Sequence, residues 1–480
     1  MKVQVLVFFL FFFSRGILIS QPGYERVVKQ MLELPEYKGA QAGVHISEME
    51  TGKVLYELNS DKMMIPASVL KLVTSAAALE MLGPDYRFRT RVGYSGRIEK
   101  GILKGDLIVV GGGDPALGSE YFRDHYFFPH FLELWAQKIK AAGISRIEGD
   151  LIVDGSVYDT EKIPPTWIWE DIGNYYGAGA SALAIYDNLF RISFRSPAEA
   201  GKPAEIISMY PLVEGLEWKS EVLSSDINRD QAYVFGSPED NRRVVRGTIP
   251  KNRKSFTIKA SNPFPESLLA RDLLNTLSVN GVFLTGQTVF DEVPAQQFRQ
   301  IFSFESPPLK EIIKVLNVES VNLFAEHLVK QVALEKTGAG SRETGLKLIS
   351  EFWESKGLNT SQLLMEDGSG LSHFNAVSPE FLSRVLGYMA GSESSVPAFR
   401  TLLPSAGNGT LQSFSAGNFP ANSLQVKSGS MKRIRCYAGY IKPATGKDIV
   451  VVVFINHFSG THARLVSEIE KLFVEIRNTN

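Results

Sequence analysis

The chain is short of cysteine, of long apolar runs and of net charge, and each shortage excludes a class of protein. Cys436 is the only cysteine among 480 residues, so no intramolecular disulfide can form. Beyond the first twenty residues no apolar stretch is long enough to span a bilayer, so we expect at most peripheral membrane association. The formal net charge of −1 supplies no global field for nucleic acid. Partners must therefore be recognised by local sites.

Histidine is also scarce, and its placement argues against a metal site. The seven histidines form no His-Glu-x-x-His motif and no pair with a downstream carboxylate. The run from Gly111 to Asp114 lacks the Gly-Lys-Ser/Thr ending of a phosphate-binding loop, so we interpret it as a turn. We therefore expect neither a metal nor another cofactor.

The first twenty residues are interpreted as a secretory signal peptide. Lys2 provides a basic start, residues 3–13 are apolar except for Gln4, and small residues follow at Ser14 and Ser20. An uncleaved anchor is the alternative interpretation. Either way the remaining chain is expected to be exported to the periplasm or cell envelope.

A change of sequence pattern divides the rest of the chain. From residue 86 to 262, short alternating runs between Gly-rich turns predict mostly β structure. Residues 21–85 and 263–480 combine strand hairpins with helical periodicities. The pattern predicts an α/β (α+β) catalytic domain, formed by 21–85 and 263–480, that is split by an inserted, mostly β region at 86–262.

Ser68 and Lys71 form a Ser-x-x-Lys motif at the start of a predicted helix, which Pro66 opens and Gly83 ends. Three residues are just under one turn, so both side chains project on the same side. A lysine that burial keeps neutral can take the serine proton, and a helix N-terminus favours a developing oxyanion. By itself the motif also occurs by chance.

Two further motifs follow in a fixed order. Ser320 and Asn322 form a Ser-x-Asn motif that opens a helical run, and Lys427, Ser428 and Gly429 precede the last predicted hairpin. The succession Ser-x-x-Lys, Ser-x-Asn and Lys-Ser/Thr-Gly is the signature of penicillin-binding proteins and serine β-lactamases. Each motif alone is weak, whereas the three in this order are a strong signal.

The flanking segments at 111–117, 175–178 and 367–372 narrow the family. With the motifs they resemble the low-molecular-mass class C penicillin-binding proteins, the D-Ala-D-Ala carboxypeptidase/endopeptidase family typified by penicillin-binding protein 4 (peptidase family S13). About 250 residues separate the first two motifs, which excludes the compact β-lactamase layout. The chain departs from the family at Ser428, where threonine is usual, and at Val321, where related enzymes often have aspartate.

The resemblance implies a serine β-lactamase/transpeptidase-like catalytic domain and an acyl-transfer mechanism. Ser68 would attack the penultimate D-Ala carbonyl while Lys71 accepts its proton. Ser320, held by Lys427, would relay a proton to the leaving amine, and Asn322 would bind the acyl-side amide of the substrate.

Other positions are assigned to substrate binding by the same resemblance. The backbone N–H groups of Ser68 and Ser430 would form the oxyanion hole. Lys427 and Ser428, followed by Gly429, would recognise the terminal carboxylate. The expected partners are peptidoglycan stem peptides, with β-lactams as covalent inhibitors.

Asp171 and Tyr176 are predicted to line the substrate side of the cleft. A carboxylate beside aromatic surface suits the ammonium-bearing side chain of a stem-peptide diamino acid, with Asp171 pairing the amine and Tyr176 packing on its methylenes. The competing interpretation makes Asp171 a turn residue beside a core-packing Trp-x-Trp segment at 167–169.

Two other functions share these motifs. One is a β-lactamase or esterase, which would need a dedicated activator of the deacylating water. The other is a catalytically silent cell-wall scaffold, although no catalytic side chain is missing. Carboxypeptidase and endopeptidase action share one chemistry, so the sequence does not rank them.

Overall fold

The computed structural model describes residues 23–123, 130–391 and 399–479. The predicted signal peptide lies outside these ranges. Within them, no helix combines the length and the apolar character that crossing a membrane requires.

The α-helices of the described ranges alternate with strands along the chain. They are α1 Gly23–Glu33, α2 Lys71–Leu82, α3 Phe131–Ala141, α4 Trp169–Ile172, α5 Pro265–Val279, α6 Leu309–Glu319, α7 Asn322–Thr337, α8 Arg342–Ser355, α9 Pro379–Gly391 and α10 His462–Thr479.

The strands fall into several sheets. They are β1 Gln41–Glu48, β2 Val54–Leu58, β3 Arg89–Tyr94, β4 Arg97–Glu99, β5 Ile102–Lys104, β6 Leu107–Val110, β7 Arg146–Ile147, β8 Leu151–Asp154, β9 Leu189–Ser196, β10 Glu205–Tyr210, β11 Glu217–Ser225, β12 Gln231–Phe235, β13 Arg242–Pro250, β14 Arg253–Ser261, β15 Phe283–Leu284, β16 Thr288–Phe290, β17 Arg299–Glu305, β18 Leu363–Leu364, β19 Ala376–Val377, β20 Leu424–Met431, β21 Ile434–Ile441 and β22 Ile449–Asn456.

The first sheet joins the two ends of the chain in the order β2-β1-β22-β21-β20, with antiparallel neighbours. Its central strand β22 is buried along its whole length. Val452 and Phe454 belong to the core that includes α2 and α9, whereas Val453 and Ile455 belong to the core that includes α1 and α10. Because helices cover both faces of the sheet, both sets of β22 side chains are buried, which explains the continuous apolar run of this strand.

The inserted region, together with β15, β16 and β17, forms four further sheets. Their orders are β16-β8-β6-β3-β17, β15-β7-β5-β4, β10-β9-β14 and β11-β13-β12. Helices α3 and α5 share one hydrophobic core with the first two of these sheets, and this core includes the fully buried Trp135. Mixed helices and sheets confirm the predicted α/β class.

The sheets also bear on where the insertion ends. Strand β17 pairs antiparallel with β3, and α5 packs on α3, although both β17 and α5 follow residue 262. The sequence pattern alone assigns residues 263 onward to the catalytic domain, because a helical periodicity resumes there. We propose instead that the insertion extends from about residue 86 to Glu305, since its core needs both elements.

Helix α2 begins differently from the prediction. A short 3₁₀ turn at Ala67–Leu70 precedes it, and Lys71 is the first α-helical residue. Ala67 has a left-handed φ of 48°. The turn packs against β20 and thereby places Ser68 at the edge of the first sheet.

Candidate active site

The five predicted catalytic residues lie together where α2, α7 and β20 meet. Lys71 Nζ is 3.0 Å from Ser68 Oγ and donates a 2.6 Å hydrogen bond to Asn322 Oδ1. Lys427 Nζ donates to Ser320 Oγ over 2.8 Å. The three motifs are far apart in the chain, so this convergence is a property of the fold.

Ser320 reaches the cleft from the link between α6 and α7. It has a left-handed backbone conformation, with φ 61° and ψ 41°, which is uncommon for a residue other than glycine. The reversal ends α6 and allows α7 to start at Asn322 two residues later. Ser320 and Asn322 can therefore contact different lysines, Lys427 and Lys71.

Burial controls the charge of both lysines. The Lys71 side chain is completely buried, and desolvation lowers its pKa to about 7 although Asp367 and Glu326 act in the opposite direction. Desolvation also holds the pKa of Lys427 well below its usual range, with the positive charges of Lys71 and Arg435 adding to the effect. Lys71 can therefore be a neutral amine near neutral pH.

The hydrogen bonds of Lys71 fit a base. Besides Asn322 Oδ1, its amine donates to the carbonyl oxygen of Ser369 over 2.5 Å. A neutral amine has two N–H groups and one lone pair, so these two acceptors satisfy its N–H groups. Its lone pair is then left for the hydroxyl proton of Ser68.

The three motifs include neither Glu326 nor Asp367. Asp367 lies in the flanking segment at 367–372 that resembles the family. Asp367 is fully buried and accepts hydrogen bonds from Gly370 N, Ser372 N, Asn375 Nδ2 and Trp167 Nε1.

Glu326 accepts hydrogen bonds from Gly368 N and Ser369 N. The available signal for Glu326 was its spacing, four residues after Asn322 on one face of α7.

Strand β20 lies directly against the nucleophile. A Cβ atom on Gly429 would be 2.7 Å from the carbonyl oxygen of Pro66 and 3.0 Å from the Ser68 nitrogen. Only glycine fits this contact. Ser428 is buried beside it, and Ser430 is exposed at the end of the strand.

Asp171 and Tyr176 adjoin this site through Asn322. Asn322 Nδ2 donates a 2.7 Å hydrogen bond to the Tyr176 carbonyl oxygen, and the Tyr176 hydroxyl donates to the Asp171 carboxylate. Burial raises the pKa of Asp171 to about 6. The exposed rings of Trp169 and Tyr175 lie on the same segment.

Other reactive side chains have structural positions. Cys436 is buried, which raises the pKa of its thiol, and it donates to the carbonyl oxygen of Ile65. His327 Nδ1 donates to the Gly113 carbonyl oxygen, and burial lowers the pKa of its ring to about 4. In the part of the chain that the structure describes, no three His, Cys, Asp or Glu residues form a metal-binding group.

Comparisons with known proteins identify the family of the chain. A sequence model described as the D-Ala-D-Ala carboxypeptidase 3 (S13) family matches residues 25–477. The D-alanyl-D-alanine carboxypeptidase of Actinomadura sp. (strain R39) is 30% identical over 451 residues, covering 90% of this chain and 80% of the relative.

Solved structures extend the likeness to the fold. Penicillin-binding protein 4 from Haemophilus influenzae superposes with a TM-score of 0.82 at 26% identity, over 95% of this chain and 99% of that one. A structure of the same protein complexed with a β-lactam has a TM-score of 0.76 at 25% identity, with the same coverage. The chain belongs to the D-Ala-D-Ala carboxypeptidase 3 (S13) family and is a serine-type peptidase.

Proposed function

We propose that the chain hydrolyses D-Ala-D-Ala peptides of peptidoglycan through an acyl-enzyme on Ser68. The observation that carries this proposal is the 3.0 Å contact between Lys71 Nζ and Ser68 Oγ, at a lysine whose pKa burial lowers to about 7. Lys71 takes the hydroxyl proton as Ser68 attacks the penultimate D-Ala carbonyl. The bond to the terminal D-Ala nitrogen then breaks, and water later hydrolyses the ester.

The leaving amine needs a proton, and Ser320 is the proposed donor. Its hydroxyl accepts a hydrogen bond from Lys427, which holds it poised to relay a proton to the leaving amine, and the proton that Lys71 took from Ser68 balances the one delivered. The backbone N–H groups of Ser68 and Ser430 form the proposed oxyanion hole, which the close contact of Gly429 with the Ser68 nitrogen supports.

The proposed substrates are peptidoglycan stem peptides, with β-lactams as covalent inhibitors, at an exported location. The β-lactam complex of the Haemophilus influenzae relative supports the inhibitor class. Ser428 and Lys427 are proposed to recognise the terminal carboxylate. Because the same acyl transfer cleaves a terminal residue or a cross-link, carboxypeptidase and endopeptidase action are both included.

A fluorescent penicillin tests the proposal, with release of D-Ala from a D-Ala-D-Ala peptide as a second readout. The wild-type chain should form a stable label, and Ser68→Ala should lose label and hydrolysis by at least about 10⁴-fold while it remains folded by circular dichroism. Label retained on another serine would overturn the assignment of Ser68. Rapid loss of the wild-type label would indicate a β-lactamase, and no label would indicate a scaffold.

A further inference from the structure

Glu326 is a buried carboxylate next to the proposed base, and the mechanism above does not use it. It lies four residues after Asn322 in α7 and is only 3% exposed. Its Oε1 accepts the N–H of Ser369 over 2.8 Å and that of Gly368 over 3.1 Å. A buried carboxylate is costly unless it is hydrogen-bonded, and these two N–H groups supply such hydrogen bonds.

The same two residues are held by α2 on their carbonyl side. The Gly368 carbonyl oxygen accepts from Thr74 Oγ1 over 2.7 Å, and the Ser369 carbonyl oxygen accepts from Lys71 Nζ over 2.5 Å. A Cβ atom at Gly368 would lie 2.4 Å from a Val329 methyl carbon, so the loop packs directly on α7. The loop backbone is thus fixed between Glu326 and Lys71.

We propose that Glu326 is a positioning residue for Lys71: it holds the Ser369 carbonyl oxygen on the lysine amine, and its negative charge stabilises the protonated amine. This inference rests on the proposed function, because it concerns the base of that reaction. With the carbonyl in place the amine cannot rotate away from Ser68. The charge sets how readily the amine loses its proton.

Charged groups on every neighbouring element contribute to this balance. Besides Lys71 and Glu326, they are Asp367 in the loop, Lys427 in β20, Lys330 in α7 and Arg342 in α8. Burial raises the pKa of Glu326, and the charge of Asp367 raises it further, whereas the positive charge of Lys71 lowers it. Each group of the pair therefore favours the charged form of the other.

Two substitutions separate position from charge. Glu326→Gln keeps an acceptor for the Ser369 N–H but removes the charge. The protonated form of Lys71 is then less favoured, so the acidic limb of the acylation rate against pH should move down by about one unit. Glu326→Asp keeps the charge but withdraws it by one methylene. For Glu326→Asp, the acidic limb of the acylation rate against pH should stay in place while the plateau rate falls about tenfold.

The experiment measures fluorescent-penicillin acylation rates from pH 5 to 9 for the wild type and both variants. Glu335→Gln, which removes an exposed carboxylate from the same helix, is the matched control and should follow the wild type. A Glu326→Gln profile that superimposes on that of the wild type would overturn the inference, even if thermal stability falls. If Glu326→Gln does not fold, a Glu326→Asp variant with the full plateau rate would overturn it. A wild-type chain that takes no label would overturn the proposed function and this inference with it.

Discussion

At the scale of the residue, the charge of Lys71 decides when acylation can begin. The amine acts as a base only without its extra proton, and desolvation lowers its pKa from the usual lysine range to about 7. The acylation rate should therefore rise with pH through about 7 and level off above it. Lys71→Met, which fills the same buried space, should lower the plateau by about 10³-fold. Stopped-flow labelling across pH checks both, and an acidic limb near 10 would contradict the assignment.

Substitution of Lys427 should affect the kinetics differently from substitution of Lys71. Its amine contacts Ser320 Oγ and the Ser428 carbonyl oxygen, beside the proposed place of the terminal carboxylate. Lys427→Met should slow acylation and also reduce the preference for a free carboxylate over its amide by about tenfold, because a bound carboxylate favours the protonated Lys427 amine and forms a charge-assisted hydrogen bond with it. Lys71→Met should slow both peptides equally. Measured kcat/KM values for the acid and amide peptides decide, and an unchanged preference in Lys427→Met would remove its role in carboxylate recognition.

At the scale of the element, the position of β20 against the 3₁₀ turn depends on Gly429, which has no side chain to separate the two. Gly429→Ala would place a methyl group within 3.0 Å of the Ser68 nitrogen, so the strand must move away from the nucleophile. Acylation should slow by about 10²-fold because the reacting groups are misplaced. Gly387→Ala is the control, since a Cβ atom there meets nothing within 4 Å. Equal acylation rates for the two variants would show that β20 does not position Ser68.

How far each element could be predicted depends on the distance of its partners in the chain. The hairpins at 41–58 and 434–456 follow from local alternation and turn residues, and the structure forms both. Motif spacing is also local, and it is the basis on which Ser68, Lys71, Ser320, Asn322 and Lys427 were predicted. The pairing of β17 with β3 and the contacts of Glu326 with Gly368 join distant segments, so no pattern in the sequence reports them. The left-handed Ser320 likewise depends on the packing of α6 and α7.

At the scale of the whole molecule, the insertion closes against the catalytic part along α7 and the loop after α8. Trp167 donates to Asp367, Lys330 pairs with Asp159, and Asn322 donates to the Tyr176 carbonyl oxygen. These contacts connect the insertion to the residues that surround Lys71. The segment at 167–177 is therefore held beside the cleft, which favours a role in substrate binding over that of a spacer.

The segment at 167–177 is expected to recognise a charged group of the substrate. Asp171 is 9% exposed, accepts a hydrogen bond from Tyr176, and has a pKa that burial raises to about 6. We expect its carboxylate to pair with the side-chain amine of a stem-peptide diamino acid. Asp171→Asn should then reduce kcat/KM about fivefold on a peptide with that free amine, the worth of about 1 kcal/mol for a partly solvated ion pair.

Matched peptides and pH separate recognition from structure. On an otherwise identical peptide with an acetylated amine, Asp171→Asn should equal the wild type. The wild-type preference for the free amine should be present above pH 6 and decline below it, because protonation removes the carboxylate charge while the amine stays charged. Glu170→Gln, at the exposed neighbouring carboxylate, should leave the preference intact. Equal losses on both peptides would return Asp171 to the role its hydrogen bond with Tyr176 already gives it, that of fixing the turn after α4.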